Sequence, residues 1–272
     1  MTPIRIASTL TLAASMALAC FSTASAQDGK SSGPPRKKVL VELYTSQGCD
    51  SCPPANELLG ELERLGFGPD RVVPVAFHVD YFNTPWADPF SSKDYSRREA
   101  SYNSVKKRDD LYFTPMMMVD GRFPMLGSNR TEAIASIRKA LGSGPGASLR
   151  LSLSGTGADR KLDVEVAGLA PEAVGRPLMI GVTITEGPVS TRVPSGENAG
   201  KTLVEHFAVR SFAYQTARLK ASESKELTFP VKMGEGWAAG SCRVAAFVQD
   251  FDNGKIYQAE SIPWEPRATP RR

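Results

Sequence analysis

The sequence predicts an α/β layer followed by an all-β sandwich, and three observations predict it. A short apolar run, a helix-spaced segment and a second apolar run follow one another between residues 38 and 79. A glycine-rich break, GSGPG at 142–146, ends that alternation. Beyond the break come seven short alternating runs separated by turn residues. Strand, crossover helix and strand in succession require a parallel pair, whereas serial short strands with turn clusters suggest a sandwich.

The elements follow in order. KVLVELY at 38–44 reads as a buried strand. In 55–65, Leu58, Leu59, Leu62 and Leu65 keep a helical spacing, and Gly66 and Gly68 stop the helix. Residues 71–79 form the second strand, and 91–107 a polar helix. The third strand is 116–119, turned at Gly121 into a hairpin return over 123–126. A helix covers 131–141, with Ser128 or Asn129 at its N-cap. The sandwich strands are expected at 148–153, 162–166, 178–185, 207–212, 227–231, 243–249 and 256–262. Asp252-Asn253-Gly254 is a strong hairpin signal before the last of them. The domains therefore read as 37–144 and 147–262, with a linker at 27–36 and a loose tail at 263–272.

The start of the chain reads as a targeting peptide over 1–26. Arg5 gives a positive start, residues 6–19 carry no charge, and Ala24-Ser25-Ala26 offers a cleavage site. A competing reading makes Cys20 a lipidation site, although Ala17 poorly suits the start of such a box. The expected location is periplasmic or secreted. No later stretch reaches the roughly 20 apolar residues of a membrane span. The net charge of +4 is mild, and the run Lys106-Lys107-Arg108 is followed at once by Asp109-Asp110. Nothing here reads as a nucleic-acid footprint.

Four cysteines are present. Cys20 would leave with the leader, and Cys242 sits in an apolar run as an inert buried thiol. Cys49 and Cys52, two residues apart, read as a redox or metal motif. They lie where the first strand meets the first helix. Unpaired N–H groups and the dipole of a helix start favour a thiolate. Cys49 is then the nucleophile and Cys52, one turn on, the resolving thiol. Asp50 beside the thiolate opposes its stabilisation, which implies a more reducing couple. Glu42 lies seven residues before Cys49 inside the apolar strand. A buried carboxyl with a raised pKa would take the proton of Cys52; the other reading places Glu42 at a strand end facing solvent. Phe113-Thr114-Pro115 precedes the third strand, and a proline there fits a cis bond. Cis geometry would set Thr114 against the cysteines with its backbone free to pair with a substrate strand.

These features together resemble the thioredoxin fold. The longer strings TSQGCDSCPPANELLGEL, FHVDYFNTPWADPF, LYFTPMMMVDGR, SGENAGKTLVEHFAVR and VAAFVQD are similar to the bacterial family with domain of unknown function 1223, over about residues 38–262. The resemblance implies a secreted protein with a thioredoxin-like N-terminal domain. It assigns Cys49, Cys52, Glu42 and Pro115 as nucleophile, resolver, buried acid and cis-proline. The chain departs from thioredoxins in Asp50-Ser51 between the cysteines, in one extra residue between Glu42 and Cys49, and in a long insertion before Thr114.

The expected function is thiol–disulfide exchange on exported protein thiols and disulfides, recharged by an unidentified redox partner. No cofactor is required, because the cysteines carry the electrons. Two other readings remain. Cys49, Cys52 and His78 would suit copper or zinc, although a histidine in FHVD is more simply a bonded core residue. Alternatively, the pair is a permanent disulfide in a non-catalytic binding protein. Asp80 and Tyr81 either line the site or begin a loop. Tyr81, Phe82, Trp86 and Phe90 either grip an unfolded peptide or pack a lid. Met116, Met117 and Met118 read as core. GENAGKT, at 196–202, has three residues between its glycines where a phosphate loop needs four, and is rejected. His206 has no evident partner in the sequence.

Overall fold

Seven consecutive buried residues, Val39–Thr45, form β1. A strand apolar on both sides must be covered on both sides, and the computed structural model, which describes residues 36–265, shows how. One face of β1 sets Val41 and Leu43 against α1 (Pro53–Glu61) and α3 (Arg130–Leu141). The other face sets Leu40 and Tyr44 against Tyr95 and Tyr102 of α2 (Lys93–Lys106). β2 (Val72–His78) pairs with β1 in parallel, from Val39↔Val72 to Thr45↔His78. β3 (Met116–Val119) pairs antiparallel on the other side, followed by β4 (Phe123–Leu126). α3 starts at one of its two expected caps, where Asn129 accepts from Glu132 N–H, and at the start of α2 Ser92 accepts from Asp94 N–H.

The expectation of a thioredoxin-like domain followed by a separate β-sandwich is corrected here. The chain is mostly β, and its main sheet has eight strands drawn from both halves of the sequence. The second half supplies β5 (Ser148–Ser154), β6 (Asp159–Ala167), β7 (Leu178–Glu186), β8 (Val189–Arg192) and β9 (Thr202–Glu205). It continues with β10 (Ala208–Ala217), β11 (Lys225–Lys232), β12 (Cys242–Asp250) and β13 (Ile256–Pro263). The large sheet runs β13-β12-β7-β10-β2-β1-β3-β4. Its joint is β2 with β10: Ala208 pairs with Ala76, and Ala76 N–H donates to Phe207 C=O at 2.8 Å.

The physical reason is the outer edge of β2. Left open it would expose a row of unpaired N–H and C=O groups; β10 takes that edge instead. β7 and β12 are buried along almost their whole length, as central strands are. A run of short apolar segments does not distinguish such strands from those of a separate sandwich. β5, β6 and β11 form a three-stranded sheet whose inner residues, among them Val164 and Phe229, pack on Ile180 and Val244 of the large sheet. β8 and β9 pair as a small hairpin of their own.

The described residues lie within one compact unit. Lys37, the first residue of the expected N-terminal domain, is buried, ion-paired to Asp120 at 2.8 Å and bonded to Ile256 C=O at 2.9 Å. Pro263 ends β13 and Trp264 is buried, so the first two residues of the expected tail are packed. The leader with Cys20 and Ala26, linker residues 27–35 and tail residues 266–272 lie outside the described residues. No helix among the described residues is long and apolar enough to cross a membrane.

Candidate functional site

β1 delivers the chain into a tight turn whose bonds are local. Gly48 N–H donates to Ser46 Oγ at 3.0 Å, and Cys49 N–H to Ser46 C=O at 3.2 Å. Cys52 is the N-cap of α1, and its C=O accepts from Ala55 and Asn56 N–H. Cys49 and Cys52 form a disulfide, their Cα atoms 5.5 Å apart. Pro53 and Pro54 fill the first two helical positions. They fit the required φ but bring no N–H. The donors that the sequence reading placed around the Cys49 sulfur are therefore reduced to the Ser51 hydroxyl, 3.3 Å from it.

Both cysteines are only 2% exposed. Two segments cover them. From the 81–90 insertion, the Phe82 carbonyl lies so close that a Cβ on Gly48 would sit 2.7 Å from it. From the second half, fully buried Asn198 donates through Nδ2 to both Gln47 C=O and Cys49 C=O, each at 2.9 Å. Glu197 accepts from Asp50 N–H at 2.9 Å, and Lys201 Nζ holds Asn198 Oδ1 at 2.8 Å. The stretch rejected as a phosphate loop is thus a clamp over the disulfide turn.

A buried polar cluster adjoins the turn. His78 Nδ1 meets Asp88 Oδ2 at 2.7 Å, and His78 Nε2 lies 3.7 Å from Glu205 Oε2. Asn56 Nδ2 donates to Glu205 Oε2 at 2.6 Å, and Gln47 Nε2 to Glu205 Oε1 at 2.8 Å. Burial opposes a charged imidazole at His78, but the Asp88 and Glu205 carboxylates outweigh it and raise the pKa. Asp88 is also desolvated, yet His78 and the N–H groups of Gln47 and Phe90 hold it below its ordinary value. Burial pushes Glu205 up. A cavity of about 150 Å³ opens beside the cluster, lined among others by Cys52, Asn56, Glu57, Thr202, Glu205 and His206.

The structure brings only some of the predicted residues together. Pro115 follows a cis bond, as expected. Its ring borders Gly127, where a Cβ would lie 2.8 Å from Leu43 Cδ1, 2.9 Å from Ala55 Cβ and 3.2 Å from Pro115 Cβ. Pro115 therefore sits near the start of α1, with half-buried Thr114 beside it. Glu42 does not join the cysteines. It is fully buried between Leu40 and Tyr44, on the sheet face opposite α1. There it accepts from Tyr44 OH at 2.9 Å and Tyr102 OH at 2.5 Å, and pairs with Arg98 at 2.7 Å. Tyr81 is 39% exposed, donates to Glu99 and packs its ring at a tilt against Tyr112. Trp86 is half-buried in the same insertion. His78 turns to Asp88 and Glu205, and no group of three or more His, Cys, Asp or Glu among the described residues could hold a metal ion. The copper set Cys49, Cys52 and His78 is thus not assembled.

Sequence reasoning missed Asp88, Asn198 and Glu205. Glu205 left one signal, an acid at the end of the short apolar run Leu203-Val204. Asn198 left none, because its partners lie 151 and 149 residues away.

No curated protein matches the chain. Two solved structures share its architecture. A crystallised protein from Agrobacterium tumefaciens has a TM-score of 0.66 at 21% identity, covering 88% of this chain and 100% of that one. HBP35 of Porphyromonas gingivalis has a TM-score of 0.65 at 19% identity, covering 88% of this chain and 80% of that one. At such identities the likeness shows the fold alone, a large mixed sheet shared by both halves of the chain. The sequence model described as "Protein of unknown function (DUF1223)" matches residues 40–249, and the chain belongs to that family.

Proposed function

We propose that the protein is an exported thiol–disulfide exchange protein whose working couple is Cys49–Cys52. The observation that carries this reading is a disulfide closed across two residues on a strand-to-helix turn, with a cavity lined by its second cysteine. In the reducing direction, the Cys49 thiolate attacks a disulfide of another exported protein. A mixed disulfide forms and one client thiolate leaves. Cys52, as thiolate, then attacks Cys49 Sγ, restoring the Cys49–Cys52 bond and releasing the second client sulfur. A dithiol partner must return two electrons and two protons before the next cycle. The leader-like start and the closed disulfide both fit an oxidising compartment, the periplasm or beyond.

A client must displace the Asn198 clamp, because both cysteines are 2% exposed. That burial favours a second reading, a permanent disulfide in a binding protein. Insulin reduction with dithiothreitol as donor separates the two. The wild type accelerates insulin precipitation, and Cys49→Ser does not. A reduction potential below about −300 mV, with insulin untouched, leaves the permanent disulfide as the better description.

A further inference from the structure

Glu205 ends β9, is 3% exposed, and lines the same cavity as Cys52 although 153 positions separate the two in sequence. Its oxygens are held apart by different donors, Gln47 Nε2 on Oε1 and Asn56 Nδ2 on Oε2. Asn56 belongs to α1, the helix that Cys52 caps. His78 Nε2 is fully buried, makes no hydrogen bond, and stands 3.7 Å from Glu205 Oε2. Among the other carboxylates, Glu57 also lines the cavity, but from the exposed side of α1, while Asp88 and Glu42 are committed. Asp88 Oδ2 is taken by His78 and Gln47 N–H, and Oδ1 by Phe90 N–H. Glu42 faces Arg98 across the sheet.

We propose that Glu205 is the proton acceptor for Cys52 in the resolving step, reached through water in the shared cavity. A cavity of about 150 Å³ admits a bridging water, which needs only about 30 Å³ and two to four polar partners. The proposal rests on the exchange reading of Cys49–Cys52. In the step itself, the Cys52 S–H proton passes to the Glu205 carboxylate. The Cys52 sulfur then bonds to Cys49 Sγ, the Cys49–client S–S bond breaks, and the client leaves as a thiolate. Two electrons pass from the protein dithiol to the client disulfide, and Glu205 later returns its proton to that thiolate or to solvent. Burial of Glu205 raises its proton affinity toward that of a thiol, which favours the transfer.

The test uses the reduced full chain and oxidised glutathione as the model disulfide. Acid quenching and mass spectrometry follow the Cys49–glutathione adduct across pH for wild type, Glu205→Gln, Glu205→Asp and Cys52→Ser. In Glu205→Gln the adduct forms at the wild-type rate, then closes about a hundredfold more slowly and accumulates. The pH-dependent part of closure seen in wild type disappears. Glu205→Asp retains that part with a displaced midpoint, and carries the test alone if the Gln variant does not fold. His78 and Asp88, Glu57 on α1, and His206 and Arg210 also face this region. The comparison with wild type at each pH isolates Glu205 from them. Closure with unchanged rate and pH profile in both Glu205 variants overturns the proposal while leaving exchange intact. Absence of any adduct in Cys52→Ser overturns the exchange reading and the proposal with it.

Discussion

Arg98 is enclosed by rings: Phe77, Tyr102, Phe212 and Phe247 all lie within 6 Å of its guanidinium carbon. Its one anionic partner among the described residues is fully buried Glu42. Removing the cation leaves an uncompensated carboxylate in the interior. Arg98→Met therefore destabilises the fold by about 3–5 kcal/mol, read from urea unfolding. Glu99 behaves differently. Burial lifts its pKa from the ordinary 4.5 to about 8, against the hydrogen bonds from Tyr81 and Phe113. Between those two values the folded chain holds a proton that the unfolded chain has released, so stability falls as pH rises from 4.5 toward 8. In thermal melts Glu99→Gln flattens this slope and raises Tm most at pH 8. At this scale the sequence was most legible where chemistry is local. The cysteine pair and the cis Thr114–Pro115 bond were readable. The expected role of Glu42 failed because alternation along a strand assigns a face only once the covering helices are known.

At the scale of elements, α1 departs from a simple helix start. Its first two N–H positions are proline, so the turn carries a weaker positive end than the sequence alone suggested. Pro53→Ala restores one donor near Cys49. The couple becomes more oxidising by roughly 6–20 mV, taking about 0.3–1 kcal/mol for a helix-start contact and 30 mV per 1.4 kcal/mol. Equilibration with glutathione buffers measures the shift. The three helices were legible within a few residues, α1 from its spacing and α3 with its cap. β8 and β9 were not. Each spans four residues, and most of these are exposed or half-buried, so neither offers the run of four or more apolar residues that announces a buried strand. Their hairpin nonetheless brings Glu205 to the site.

For the whole molecule, the sheet order explains why the halves do not separate. Leu40, Val75 and Phe77 share one core with Val209, Phe247 and Ala259 from the other half. A fragment ending at residue 144 would expose that face and the outer edge of β2. It is expected to lack a cooperative thermal transition and to bind a hydrophobic dye, whereas the full chain melts cooperatively. The pairing of β2 with β10 was illegible because a single bridge joins Ala76 and Ala208, 132 positions apart in sequence. The Asn198 clamp has a consequence in time. A ribosome makes residues 49 and 52 long before residue 198, so the nascent chain displays its thiol pair uncovered. On the exchange reading proposed above, the first oxidation meets an open pair and every later turnover a covered one. The age of the polypeptide, and not only its redox surroundings, then sets how readily the two sulfurs react.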